Sequence, residues 1–106
     1  MLSKLREAQI KRTKRWDLNS VLDLSFYGNA LAGETGEACN IIKKLERERL
    51  GVGGTKSTVA DLAEELADVV IYLDIIAMKT GIDLESAIKD KFNKTSKAYD
   101  LGVFID

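Results

Sequence analysis

The stretch GNALAGETGEACNIIKKLE, residues 28–46, has the apolar spacing of a long amphipathic helix. On that helix Glu34 and Glu37 point to the same side as Ala38 and Ile41, which is the side expected to face a core. Burying an unpaired carboxylate is costly, so a packed helix normally keeps charge out of this stripe. The two glutamates therefore mark this helix as the place to look for a functional site.

A second acidic pair follows in AEELADVVIYL, residues 63–73. Glu65 and Asp68 are three residues apart, so they are neighbours on one helix face, where they border another apolar stripe. The chain thus carries an E-x-x-E motif and an E-x-x-D motif on two long predicted helices. If these helices pack antiparallel, the two pairs come together.

Four carboxylates in a half-buried groove repel one another, by about 4 kcal/mol for each pair at 4 Å and an effective dielectric near 20. They must take up protons, pair with lysines or hold a cation. Oxygen-only ligands suit Mg²⁺, with Mn²⁺ also possible, and the absence of histidine disfavours zinc or a di-iron site. Acidic residues three apart are common in charged helices, so either pair alone is weak evidence. Gly33 and Gly36 beside the first pair strengthen the case, because glycine inside a helix costs about 1 kcal/mol and indicates a close approach to the backbone.

Composition predicts an all-α fold in one domain covering residues 1–106, with 45% hydrophobic residues and no proline. Four helices are expected: about 2–15, about 23–50, one capped by Ser57 or Thr58 and ending at Thr80-Gly81, and one capped by Asp83 and running from 84 to about 99. The third is apolar nearly all round, and the second would be roughly 40 Å long. One chain of this size cannot easily cover both helices, so we expect a helical homo-oligomer.

Other features exclude several classes of function. The net charge is −1, and the basic residues among positions 1–15 are best explained as a solvated helix face, which ranks nucleic-acid binding last. The one cysteine, Cys39, is expected to be a small packed thiol on the back of its helix in a reducing compartment. The longest apolar run, Val69–Leu73, is too short to cross a bilayer, and the N-terminus is charged from Lys4. We therefore expect a soluble cytoplasmic protein with no membrane partner.

The segments LAGETGEACNIIKKL, EELADVVIYL and KFNKTS together resemble the MazG-like branch of the all-α nucleoside triphosphate pyrophosphohydrolases, over roughly residues 25–100. The resemblance implies a four-helix MazG-like bundle completed by a homodimer or homotetramer. It also implies Mg²⁺-dependent hydrolysis of nucleoside triphosphates, often deoxynucleotides, to the monophosphate and pyrophosphate.

The same resemblance assigns roles to individual residues. The metal ligands it implies are Glu34, Glu37, Glu65 and Asp68, with Glu37 also accepting a proton from the attacking water or orienting it. The substrate-binding residues it implies are Lys44, Lys91 and Asn93, and the two lysines would stabilise the leaving pyrophosphate. Trp16 is the only tryptophan, and it is expected either to anchor a core or interface or to stack on a nucleobase.

The leading hypothesis is a nucleotide-pool house-cleaning hydrolase. One alternative is a non-catalytic helical oligomerisation module, which would gain stability by replacing the acids with apolar residues. The other is a metal-dependent phosphohydrolase of another phosphorylated metabolite, which the four acids do not exclude.

Overall fold

A computed structural model describes all residues from Met1 to Asp106 and contains four α-helices and no strand, as the composition predicted. The helices are α1 (Leu2–Trp16), α2 (Leu24–Arg49), α3 (Val59–Thr80) and α4 (Leu84–Ala98). Their ends lie within one or two residues of the predicted ends. None of the four combines the length and the hydropathy that crossing a membrane requires.

Short polar side chains begin three of the helices. Asp23 caps α2 and Asp83 caps α4, each by accepting a hydrogen bond from a backbone N–H in the first turn. Thr58, one of the two expected caps, forms a reciprocal capping box with Asp61 at the start of α3. Gly81 ends α3 in the left-handed conformation, with φ of +71°, where a side chain would be strained.

The central unit is the antiparallel pair α2 and α3, with α1 packed against α3. The ammonium group of Lys79, near the end of α3, lies 5.3 Å from the ring centre of Tyr27, near the start of α2. On the α1 side, the Gln9 amide donates a 2.7 Å hydrogen bond to the backbone carbonyl of Ile71. These contacts fix the register of the three helices.

The chain is open, because its helices do not close around a shared core. The buried hydrophobic residues are only Tyr27, Ala38, Ile75 and Ala77. The radius of gyration is 17.2 Å, against about 13 Å for a compact domain of 100 residues. Helix α4 packs closely against none of the other three helices. The four predicted helices are therefore present, and within one chain they do not form a closed bundle.

Cys39 is exposed, so the expectation of a packed thiol was wrong. It was placed correctly on the side of α2 away from the glutamates. Within one chain α2 is covered mainly by α3, and this packing leaves the side chain of Cys39 exposed.

A buried ion pair ties α1 to α3. The carboxylate of Asp74 is almost fully buried, and it lies 3.1 Å from both Nε and Nη2 of Arg6. The other oxygen of Asp74 has no hydrogen-bond partner, so Arg6 supplies its compensation. The sequence predicts α3 as a mainly apolar helix, and its pattern does not indicate this pair.

We expect Arg6→Met to lower the free energy of unfolding by about 2–3 kcal/mol, because it leaves the buried carboxylate of Asp74 unpaired. The expected loss of stability is smaller than that for breaking a fully buried ion pair, because Arg6 is partly exposed. Urea unfolding followed by circular dichroism measures the loss. The exposed Lys11→Met is the matched control and should unfold as the wild type does. Adding Asp74→Leu to Arg6→Met should restore much of the stability, and an unchanged midpoint for Arg6→Met alone would contradict this role.

Candidate active site

Three glutamates converge between α2 and α3. Glu34 and Glu37 are one turn apart on α2, and Glu65 faces them from α3. One carboxylate oxygen from each of the three lies within 4.8 Å of the others. Antiparallel packing thus brings together three of the four predicted ligands.

No cation of the protein neutralises this cluster. The ion pairs in the chain all lie elsewhere and join Arg6 to Asp74, Arg49 to Glu46 and Lys79 to Asp17. Glu34 and Glu65 each have one carboxylate oxygen that is buried and has no hydrogen-bond partner. Buried carboxylate oxygens are normally paired, so these two mark a site that needs a proton or a metal ion.

The proton affinities of the cluster reflect this crowding. The pKa of Glu65 is raised to about 7, first because its protonated carboxyl group can donate a hydrogen bond to Glu37, and then because of burial. The pKa of Glu34 is raised above its usual value, mainly by burial, with the negative charges of Glu37 and Asp68 adding to the effect. A carboxylate whose charge is this unfavourable gains strongly from a nearby cation.

The donor set suits a hard divalent cation. All three ligands offer oxygen, as Mg²⁺ and Mn²⁺ prefer, and none offers the nitrogen or sulfur that favours zinc. The unpaired oxygens of Glu34 and Glu65 are the structural observation that fits such an ion.

Asp68 lies at the edge of the cluster. It is half-buried one turn beyond Glu65, and it is outside the three-glutamate group although its charge raises the pKa of Glu34. Asp68 also lines a cavity of about 340 Å³ between α1 and α3. The cavity is lined by Arg12, Trp16, Asp68, Ile71, Tyr72 and Ile75.

The side chain of Trp16 packs against other aromatic rings and also lines a cavity. Its ring packs against the rings of Phe26 and Tyr27, with centroids 6.2 and 6.1 Å away, which is the predicted anchoring contact. The side chain is still 46% exposed and forms part of the wall of the cavity beside Asp68. Its position is therefore compatible with both roles considered for it.

Lys44 and Lys91 lie in very different places. Lys44 is half-buried on α2, two turns beyond Glu37, and it lines a second cavity at the turn between α2 and α3. Lys91 is exposed on α4, which packs closely against neither α2 nor α3. One chain therefore does not bring Lys91 to the acid cluster.

Asn93 is engaged within the chain. Its side-chain amide donates a 2.8 Å hydrogen bond to the carbonyl of Ile105 and accepts a 2.7 Å bond from the N–H of the same residue. These two bonds hold the residues that follow α4 against that helix. Binding of a substrate by Asn93 stays a prediction.

Some features around the site differ from those predicted from the sequence. Arg12 lies one turn before Trp16 on α1, and this i, i+4 spacing could have placed both on one face. Gly33 and Gly36 have open space where a side chain would be, so no part of this chain makes the close approach that was expected there.

Comparison with known proteins agrees with this geometry. A family model for the MazG nucleotide pyrophosphohydrolase domain matches residues 23–100, which include all four acids. The chain is 34% identical over 87 residues to the Gene 37 protein of Mycobacterium phage L5, covering 82% of this chain and 75% of the phage protein.

It is also 35% identical over 71 residues to dCTP pyrophosphatase 1 of Homo sapiens, covering 66% of this chain. The match spans 42% of the human protein, less than half of its length. No solved structure matches the chain significantly. Because the family model covers α2 to α4, which is more than half of the chain, the chain belongs to the MazG nucleotide pyrophosphohydrolase domain family.

Proposed function

We propose that this protein is a Mg²⁺-dependent hydrolase that converts nucleoside triphosphates, deoxynucleotides in particular, to the monophosphate and pyrophosphate. Its role would be house-cleaning of the nucleotide pool. The observation that carries the proposal is the cluster of Glu34, Glu37 and Glu65, with two buried oxygens that no group of the protein neutralises. The relative named as a dCTP pyrophosphatase supports a nucleotide substrate.

The acids share one task in the proposed reaction, and Glu37 has a second. Glu34 and Glu65, which are half-buried, would hold Mg²⁺ together with Glu37, and Asp68 would contribute from the edge. When bound, the metal neutralises phosphate charge and lowers the pKa of the attacking water. Glu37 is the exposed member of the three, so it faces the solvent from which that water arrives. It accepts the proton of the water as general base.

The bond changes follow from this arrangement. The water oxygen bonds to the α-phosphorus, and the bond from that phosphorus to the oxygen bridging to the β-phosphorus breaks. The electron pair leaves with the bridging oxygen on pyrophosphate, and the nucleoside monophosphate keeps the oxygen from water. Lys44, which lines the cavity at the turn between α2 and α3, would stabilise the charge of the leaving pyrophosphate.

The cavity beside Asp68 is the proposed position of the nucleoside. Trp16 offers a flat ring there, and stacking of a base on an aromatic ring contributes about 1–3 kcal/mol. Tyr72 and the aliphatic side chains of Ile71 and Ile75 provide the rest of the apolar wall.

The proposed enzyme is a homodimer or homotetramer. Val70 and Leu73 on α3 and Phe92 on α4 are large apolar side chains that remain substantially exposed in one chain. A second copy that covers these faces would complete the core and could bring its α4, with Lys91, to the site. The open shape of the single chain supports this assembly.

We expect Glu37→Gln to reduce pyrophosphate release from deoxynucleotides in the presence of Mg²⁺ by at least about a hundredfold, because it removes the proposed base. The helical circular-dichroism spectrum should not change, since the substitution keeps the shape of the side chain. Glu64, the exposed residue next to Glu65 on α3, is outside the cluster, so Glu64→Gln should retain wild-type turnover. Full activity of Glu37→Gln, or release of orthophosphate by the wild type, would contradict the mechanism.

We expect the metal-free protein to lose thermal stability as the pH rises from about 5 to about 8. Folding raises the pKa of Glu65 to about 7 from 4.5, so its contribution to stability is complete below about 4.5 and is lost as pH passes through about 7. Mg²⁺ should raise the melting temperature most at the higher pH, because it binds the ionised cluster. Melting curves in EDTA and in Mg²⁺ test this, with Glu65→Gln as the variant that should lose most of the pH dependence. A midpoint independent of both pH and Mg²⁺ would argue against the site.

We expect light scattering coupled to size-exclusion chromatography to give two or four times the chain mass of 11.7 kDa. Phe92→Glu should shift the protein toward smaller species, because it puts charge on an apolar face that a second copy would cover. Lys94→Glu on the same helix is the control for the added charge and should leave the mass unchanged. A wild-type mass of one chain would reject the oligomer.

A further inference from the structure

A basic cavity lies at the turn between α2 and α3, separate from the acid cluster. It has a volume of about 270 Å³, and Val52 is its only hydrophobic lining residue. The complete lining is Lys44, Arg47, Glu48, Gly51, Val52, Gly53, Gly54, Thr55 and Lys56. We call it the turn cavity.

The cations of the turn cavity are not paired. Lys44, Arg47 and Lys56 form none of the ion pairs found in the chain. Glu48 is the only acid among the lining residues, so the formal charge of the lining is three minus one, or +2. Hydrogen bonds from Thr58 and Ser57 lower the pKa of Asp61, and the charge of the nearby Lys44 adds a smaller effect, but Lys44 and Asp61 do not form an ion pair. This charge balance favours an anionic ligand.

The backbone of the turn adds further donors. The N–H groups of Gly53, Gly54 and Thr55 donate no hydrogen bond within the protein. Gly54 has φ of +144°, and a Cβ there would lie 3.1 Å from Nη1 of Arg47. The guanidinium group therefore lies directly against the turn because residue 54 has no side chain. Free backbone N–H groups beside a guanidinium are a suitable arrangement for phosphate oxygens.

The turn cavity lies at one end of the acid cluster along the axes of α2 and α3. Lys44 follows Glu37 by two helical turns, or about 10 Å along α2. On α3, Asp61 precedes Glu65 by one turn and therefore lies toward the turn cavity. Asp68 follows Glu65 by one turn and lies at the cavity that contains Trp16. The acid cluster thus lies between an aromatic cavity and a basic one.

We propose that the turn cavity receives the two terminal phosphates of the substrate and holds them as pyrophosphate after cleavage. This rests on the proposed function and adds Arg47, Lys56 and the backbone N–H groups of Gly53–Thr55 to the site. The electron pair of the broken phosphorus–oxygen bond stays on the bridging oxygen of pyrophosphate, and these donors stabilise the charge. The nucleobase then occupies the cavity beside Trp16, at the opposite end of the acid cluster, and the α-phosphorus lies over the acids.

The test compares two product inhibitors in the full-length protein. We expect Arg47→Gln and Lys56→Gln each to raise the inhibition constant of inorganic pyrophosphate, and the KM for a nucleoside triphosphate, about tenfold. The inhibition constant of the nucleoside monophosphate should not change, because it lacks the terminal phosphates. Arg49 is paired with Glu46 and does not line the cavity, so Arg49→Gln is the matched control and should behave as the wild type. Equal inhibition of all variants by pyrophosphate would overturn the proposal.

A second readout does not depend on turnover. Inorganic pyrophosphate added without metal should shift the amide NMR signals of Gly53, Gly54 and Thr55 in the wild type, and not in the Arg47→Gln/Lys56→Gln double variant. If these shifts appear although no nucleotide is cleaved, the anion site stands and the proposed function fails. If nucleotides are cleaved but the shifts are absent and the inhibition constants are unchanged, the turn cavity has no such role and the function stands.

Discussion

The packing of α2 against α3 forces three carboxylates to within 4.8 Å of one another without a cation of the protein among them. At that separation each pair of full charges repels by roughly 3–4 kcal/mol at an effective dielectric near 20. Removing the charges would stabilise a protein that needed this interface only for folding. The chain instead keeps Glu34, Glu37 and Glu65 at the centre of its best-packed pair of helices. The proposed chemistry depends on this unfavourable arrangement, because a proton or a bound cation is needed to relieve the repulsion.

The surroundings of the acids differ at the two ends of the helix pair. Toward α1, Trp16 and Tyr72 form an aromatic cavity, and toward the connecting turn, Lys44 and Arg47 form a basic one. A nucleotide has the same order of groups: a flat base, a reactive phosphorus and a strongly anionic end. This order of groups supports the proposed orientation of a nucleotide along the helix pair, in which the attacking water would reach the acids at the exposed Glu37.

Local features of the sequence predicted most of the fold. Helix ends were placed well because Asp23, Thr58 and Gly81 act within one turn of their position in the chain. The meeting of Glu34 with Glu65 was predictable, because an i, i+3 spacing fixes a face and a short connection makes neighbouring helices antiparallel.

Contacts between distant parts of the chain were not predicted. The pairing of Arg6 with Asp74 spans 68 positions, and no periodicity indicates which basic residue of α1 reaches which acid of α3. The separation of α4 from the other three helices was not predicted either. Its apolar stripe, which includes Ile88, predicts a buried face and does not say whether the partner belongs to the same chain or to another. The predicted role of Lys91 in the site would therefore require a second copy of the chain to bring its α4 to the acids.

Binding of a divalent metal ion by the three glutamates is measured most simply by titrating Mn²⁺ into the protein at neutral pH and following the electron paramagnetic resonance signal of the free ion. We expect that the wild type removes Mn²⁺ from solution, that Mg²⁺ competes for the same site, and that Glu34→Gln with Glu65→Gln abolishes the uptake. If the wild type leaves the free signal unchanged, or if the double variant binds equally well, the three glutamates are not a metal site and the proposed chemistry fails.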